Sequence, residues 1–240
     1  MKIRLDRLLV ERGLVESREK AQALIMAGEV LVDEQKASKP GRLFESSCTV
    51  RILARMPFVS RGGIKLSWAL QHFAIGVRDA VCLDIGASTG GFTDSLLQQG
   101  AARVHAVDVG VGQLAWSLRT DPRVVVHEGS NARYLKPQDI GEPVDLLTID
   151  VSFISVTLIL PAAVPLLQPH GQMVILIKPQ FEAGKGLIGK GGIVRDPEVH
   201  QSVCEKVTRA VREFGFQTTL TESPILGAEG NREFLLYGHH

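Results

Sequence analysis

Residues 81 to 94, VCLDIGASTGGFTD, set an acid and three glycines directly behind an apolar run. A dinucleotide site wants G-x-G-x-x-G, whose bare backbone meets a pyrophosphate at a helix N-terminus. Here the spacing of Gly86, Gly90 and Gly91 is G-x-x-x-G-G, and Asp84 stands two residues before the first glycine. An acid there complements a cation rather than a phosphate. S-adenosylmethionine (SAM) fits that description, with an ammonium, a sulfonium and no phosphate. Asp108 follows 22 residues after Gly86, where a carboxylate can take both ribose hydroxyls of a nucleoside. Ser130 and Asn131, after the next apolar run, are placed to meet adenine. Any one of these acids resembles a solvated strand end, but the three positions in order point to a nucleoside cofactor. The expected cofactor is SAM, held by Asp84, Gly86, Ser88, Gly90, Gly91, Asp108, Ser130, Asn131 and Asp150.

A second group of residues carries paired amines and carboxylates. Asp150 ends the run VDLLTID and Lys178 ends QMVILIK. Ligands of open α/β sheets lie outside the carboxyl ends of the strands, so both side chains are expected in the crevice that receives the SAM methyl. Lys65, in GGIKLSWAL before the first of these runs, and Glu233, at the start of EFLLYG, can reach the same place.

The elements that must position these groups follow from periodicity. VCLDIG, RVHAVDV, RVVVHEG, VDLLTID and QMVILIK are five strand candidates separated by helix-length stretches, the pattern of a doubly wound parallel sheet. Asp196 and Pro197 form an N-cap and first-turn pair opening a helix to about Phe214. FQTTLTE and EFLLYG then read as a closing antiparallel pair. The fold class is α/β, with the seven-stranded Rossmann-like sheet of SAM-dependent methyltransferases over residues 59–240. AGKGLIGKGGIVRD, at 183–196, does not satisfy the P-loop pattern and reads as a mobile loop, with Lys185, Lys190 and Arg195 available to phosphates. Trp68 and Trp116 are expected in the core, with stacking on a base as the alternative for either.

Residues 1–58 form a smaller α+β domain by the same reasoning. Leu5, Leu8 and Leu9 are at helical spacing and Gly13 stops the run; Ser17 caps a second helix that Gly28 closes. VLV and CTVRI look like strands around the Lys39-Pro40-Gly41 turn. Residues 1–57 hold 11 Lys and Arg against 8 Asp and Glu, with Arg4, Arg7, Arg12, Arg18 and Lys20 in the first 20 positions.

The stretch RLDRLLVERGLVESREKAQALIMAGEVLV resembles the small RNA-binding domain named after ribosomal small-subunit protein four. That resemblance implies that Arg4, Arg7, Arg18 and Lys20 grip RNA phosphates. Such contacts position a partner without reading its sequence. The rest of the chain resembles the ribose-methylating family that contains FtsJ, whose Lys-Asp-Lys-Glu tetrad maps onto Lys65, Asp150, Lys178 and Glu233. With the SRGGIKL and KPQFE segments, the resemblance narrows to the TlyA family, also called haemolysin A. It implies a SAM-dependent ribosomal RNA 2′-O-methyltransferase acting on ribosomal subunits. A ribose 2′-hydroxyl is a very weak acid, so attack on a sulfonium methyl needs help at the oxygen. Lys178 either accepts the proton or holds the developing alkoxide, and Asp150 and Glu233 balance the charge and orient the amines.

Composition excludes several classes. The longest apolar stretch, residues 153–169, contains Pro161 and Pro165 and falls short of the roughly 20 residues of a membrane span. The charged N-terminus MKIRLDRLLVERG lacks a signal-peptide core, so a cytoplasmic protein is expected. Cys48, Cys82 and Cys204 are odd in number and scattered, fitting reduced thiols rather than a disulfide framework, and HExxH and CxxC are absent, so no metal is expected. A monomer is the expectation, with the oligomeric state left open. Two alternatives stand beside the enzyme: a membrane-active haemolysin, and an RNA-binding ribosome assembly factor that no longer catalyses.

Overall fold

The computed structural model describes residues 2–53, 56–227 and 230–240, excepting the side chains of Lys185 and Lys190. The chain divides into two compact units, Met1–Met56 and Pro57–His240.

The first unit contains β1 (Lys2–Arg4), α1 (Leu5–Glu11), α2 (Arg18–Met26), β2 (Val30–Val32), β3 (Gln35–Lys36), β4 (Leu43–Glu45) and β5 (Val50–Ile52). Leu5 and Leu9 of α1 and Ala21 and Ile25 of α2, each pair one turn apart, meet Val30, Val32 and Ala37 in a small core. Ser17 caps α2 by accepting from the Lys20 amide at 3.2 Å. Gly28 follows α2 with a φ of +71°, a conformation glycine takes without penalty. The strands form an antiparallel β3-β2-β5 sheet and a separate β1-β4 pair. The sequence suggests only β2 and β5. The other three have two or three residues and mostly exposed side chains, so no alternation marks them.

The second unit runs α3 (Gly62–His72), β6 (Val81–Ile85), α4 (Gly91–Gln98), β7 (Arg103–Val107), α5 (Trp116–Arg119), β8 (Val124–His127), α6 (Pro137–Ile140) and β9 (Val144–Ile149). It continues with α7 (Leu160–Ala163), β10 (Leu167–Ile177), α8 (Pro179–Glu182), α9 (Pro197–Arg212), β11 (Gln217–Glu222) and β12 (Phe234–His239). All seven strands join one sheet in the order β11-β12-β10-β9-β6-β7-β8. β6 to β10 are parallel, and β12 runs antiparallel between β10 and β11. The chain steps from β6 outward to β8, then returns to the other side of β6 with β9. Such a reversal opens a crevice at the carboxyl ends of the two central strands.

Both faces of the sheet are covered. Leu83, Ile85, Leu147 and Ile149 point to one layer with Leu160 of α7 and Val203 and Val207 of α9, while Cys82 and Leu146 point to the other with Leu66 of α3 and Leu96 of α4. In α9, Val199, Val203, Val207 and Val211 recur every fourth residue and are buried, and Asp196 caps the helix by accepting from the Glu198 amide at 2.9 Å. The stretches between the parallel strands hold less helix than their lengths suggest. α5, α6 and α7 have four residues each: Gly110 and Gly112 precede α5, Pro137 opens α6, and α7 contains Pro161 and is followed by Pro165.

Candidate active site

The turn after β6 is built by glycines whose bare α-carbons are required. Gly86 has a φ of +87°, and a Cβ there would lie 2.3 Å from the Asp150 carbonyl oxygen, inside the end of β9. Gly90, at φ +97°, would drive a Cβ into Leu118, and Gly91 into Ser60 at the start of α3. Between them Ser88 is itself left-handed, at φ +48°, and its amide donates to Asp108 Oδ2 at 2.8 Å. The Gly110 amide donates to Asp108 Oδ1 at 2.7 Å. One carboxylate thus ties the turn after β6 to the turn after β7.

Above these turns lies a cavity of about 540 Å³. Gly86, Ser88, Asp108, Ser130, Asn131 and Asp150 line it, with apolar walls from Val109, Ile154 and Ile159. Its size suits a cofactor of nucleoside dimensions. Two carboxylates face it, and Gly86 leaves its floor open, so the donor set fits a cationic nucleoside such as SAM. A dinucleotide fits less well, because the first turn of α4 already carries the Asp94 carboxylate, which accepts from the Val59 amide at 2.8 Å.

Asp84 does not face this cavity. Strand alternation turns it, with Cys82, toward α4, where it is fully buried. It accepts from Thr93 Oγ1 at 2.6 Å and from Thr148 Oγ1, on the paired position of β9, at 3.1 Å. Burial pushes its carboxyl up to about 7, with the charge of Asp150 adding and the two threonines opposing. Gly90 also stays outside the cavity, packed on Leu114 and Leu118. Neither residue lines the cavity in which the sequence expectation puts the cofactor: both build the turn from behind.

A second, smaller crevice of about 190 Å³ adjoins the first, and Gly86, Ser88, Asp150 and Ser152 border both. Gly91, Lys65 and Lys178 line it as well. Lys65 of α3 is buried and pairs with Glu233, just before β12, in a close contact that shields both groups from water. Lys178, just after β10, lies 2.6 Å from Asp150 Oδ1, an ion pair out of hydrogen-bond alignment, and donates to Ser152 Oγ at 3.0 Å. Three of the four groups expected from sequence, Lys65, Asp150 and Lys178, therefore line one crevice, and Glu233 is joined to it through its ion pair with Lys65. Gly227 packs against Glu233 so closely that a Cβ would lie 2.0 Å from Oε1.

Residues 58–240 match the FtsJ-like methyltransferase family, and residues 3–47 match the S4 domain. The chain belongs to the FtsJ-like methyltransferase family. A Mycobacterium tuberculosis relative, 16S/23S rRNA (cytidine-2′-O)-methyltransferase TlyA, is 48% identical over 98% of this chain and 88% of its own length. Hemolysin A of Brachyspira hyodysenteriae is 41% identical over 98% of this chain and 99% of its own. A solved structure of a candidate hemolysin from Streptococcus thermophilus, 46% identical, superposes with a TM-score of 0.77 over 99% of this chain and 88% of that one.

Several side chains at the site of this FtsJ-like methyltransferase carry no sequence signal. Phe153 is the clearest: it lines the larger cavity, is 91% exposed and has a φ of +67°, a rare conformation for a bulky residue. Its ring lies 4.9 Å from that of Phe181 in α8. Gln113, whose Oε1 lies 3.2 Å from Ser88 Oγ, is another. Trp116 is 76% exposed, against the expectation of a core residue, because the short α5 presents its first position outward; Trp68 is half-buried and stacks on His72 at 4.4 Å.

In the S4 domain the four basic residues differ in their surroundings. Arg4 and Arg18 both bind the fully buried carboxylate of Asp6. Arg4 does so through Nε and Nη2 at 3.0 and 2.9 Å, and Arg18 through Nε at 2.9 Å. Gln22 adds a bond at 3.0 Å. The Arg4 guanidinium, with Gln22 and Arg18, holds the Asp6 carboxyl well below the usual carboxylate range. Among the described residues, the Arg7 and Lys20 side chains make only exposed one-turn pairs, with Glu11 at 3.6 Å and Glu16 at 3.1 Å. Arg195 is exposed, whereas the side chains of Lys185 and Lys190 lie outside the described residues.

Proposed function

We propose that this chain transfers a methyl group from SAM to the ribose 2′-oxygen of a ribosomal RNA nucleotide, with cytidine the base suggested by its relatives. The observation that carries the reading is the shared wall: the crevice lined by Lys65, Lys178 and Asp150 adjoins the nucleoside-sized cavity across Gly86, Ser88, Asp150 and Ser152. Asp108 would take the ribose hydroxyls of SAM, Ser130 and Asn131 would meet its adenine, and Asp150 its cationic end. SAM bound there supplies a methyl on a sulfonium, an electrophile that a weakly acidic hydroxyl attacks only when its developing charge is stabilised.

Lys178 is the group placed to meet that hydroxyl. Asp150 and Ser152 fix its amine, so an approaching 2′-oxygen finds an oriented group that either, as an ammonium, stabilises the developing negative charge or, as a neutral amine, takes up the proton as it leaves. Lys65, held by Glu233, adds a second positive charge to the crevice. Phe153, exposed where it lines the cavity, offers a face on which an unstacked base can rest. Arg7 and Lys20, with the outward edges of Arg4 and Arg18, supply phosphate affinity. The cytoplasm, where ribosomal subunits are found, is the proposed location.

The hemolysin names among the relatives raise membrane action as a second function. Among the described residues no helix is long and apolar enough to cross a membrane. Methyl transfer from labelled SAM to ribosomal subunits, followed by mass-spectrometric mapping of the RNA, tests the reading. The parent is expected to place its label on ribose, and Lys178→Ala to lose on the order of 10²- to 10⁴-fold in rate while retaining SAM affinity. Label on a base, or full activity of Lys178→Ala, overturns the assignment; no transfer at all favours the assembly-factor alternative.

A further inference from the structure

The segment carrying Phe153 is held from outside the site. Residues 152 to 156 are laced to residues 178 to 182 at three successive points. Lys178 Nζ donates to Ser152 Oγ at 3.0 Å, the Phe153 and Phe181 rings lie 4.9 Å apart, and Glu182 closes the far end. The Glu182 carboxylate is 3% exposed and accepts from Ser155 Oγ at 2.5 Å and from the Val156 amide at 2.7 Å. On its other side Lys206 of α9 donates to the same carboxylate at 3.2 Å and to the Glu182 carbonyl at 3.1 Å. Glu182 lines neither cavity, and the chemistry above makes no use of it.

A buried carboxylate with a single cationic partner is costly unless its other lone pairs are filled, and here they are filled by the loop. The left-handed backbone of Phe153 persists only if its surroundings over-determine it. Resting on the RNA-methylating reading above, we propose that Glu182 is a positioning residue. It anchors the 152–156 segment to α9 so that Phe153 stays in its left-handed conformation with its face presented to the nucleobase of the RNA substrate.

A double-mutant cycle tests this. Parent, Glu182→Ala, Phe153→Ala and the double variant are compared for single-turnover methyl transfer to ribosomal subunits at saturating SAM, with SAM affinity and thermal unfolding measured alongside. Glu182→Gln, which keeps an acceptor for the Val156 amide, replaces the alanine variant if that one unfolds. Each single variant is expected to lower kcat/KM for RNA on the order of tenfold or more, well beyond any change in SAM affinity, and the double variant to lose little beyond Phe153→Ala alone. Glu182→Gln is expected to recover part of the loss. Multiplicative losses in an active enzyme, or a fall in SAM affinity matching the fall in transfer, overturn the role of Glu182 alone. An inactive parent overturns the function and this role together.

Discussion

At the scale of single residues, Asp84 separates what a side chain is from what it does. Its position before the glycine turn suggests a ligand for SAM, yet alternation along β6 turns it into the layer under α4. A free aspartate ionises near 3.8, whereas Asp84 in the fold does so near 7. Between those values the folded chain keeps a proton that the unfolded chain has released. The contribution of this group to stability is therefore largest below about pH 4 and falls as pH rises to 7, by at most about 4 kcal/mol. Asp84→Asn removes that dependence. Its stability relative to the parent, from urea unfolding, is expected to be about 3 kcal/mol more favourable at pH 8 than at pH 5. Equal differences at the two pH values would show that the buried carboxyl titrates normally.

At the scale of elements, the strand ends are legible in the sequence and the turns between them are not. Three of the five apolar runs are followed by Asp108, Asp150 and Lys178, and these fall at strand carboxyl ends that a parallel sheet presents on one side. Parity within a strand needs to know which layer is which, so pattern alone puts Asp84 on the wrong side. Phe153 is invisible for a different reason: a left-handed φ in a non-glycine residue arises from tertiary constraints that no local pattern records. The short α5 leaves Trp116 outside while burying Leu118, since a helix of one turn is too short for a periodic pattern to mark its buried face. Gly86 shows how tightly a turn can be specified. Gly86→Ala combines an unfavourable φ with a clash against the Asp150 carbonyl that borders both cavities. It is expected to weaken SAM binding about tenfold to a hundredfold by calorimetry. Gly76→Ala, where a Cβ meets nothing, is the control expected to leave affinity unchanged.

At the scale of the whole molecule, two units divide the labour: one is proposed to hold RNA, the other to act on it. The arginines expected to grip phosphate have a prior duty, since Arg4 and Arg18 neutralise a fully buried Asp6. Replacing either leaves that carboxylate under-compensated, and a fall in RNA binding would then mix electrostatics with unfolding. Arg7 and Lys20 give the cleaner measurement. Changing both to Gln is expected to reduce the slope of log affinity against log salt by about one for each phosphate no longer neutralised, with unfolding temperature and SAM affinity preserved. An unchanged slope would place the RNA-binding surface elsewhere. The larger unit has its own kind of interdependence. Because Gly86, Ser88, Asp150 and Ser152 are a partition common to both chambers, neither occupant meets a wall that is indifferent to the other. Any preference that one guest shows for a given setting of that partition must be returned, in equal measure, as an altered hold on its neighbour.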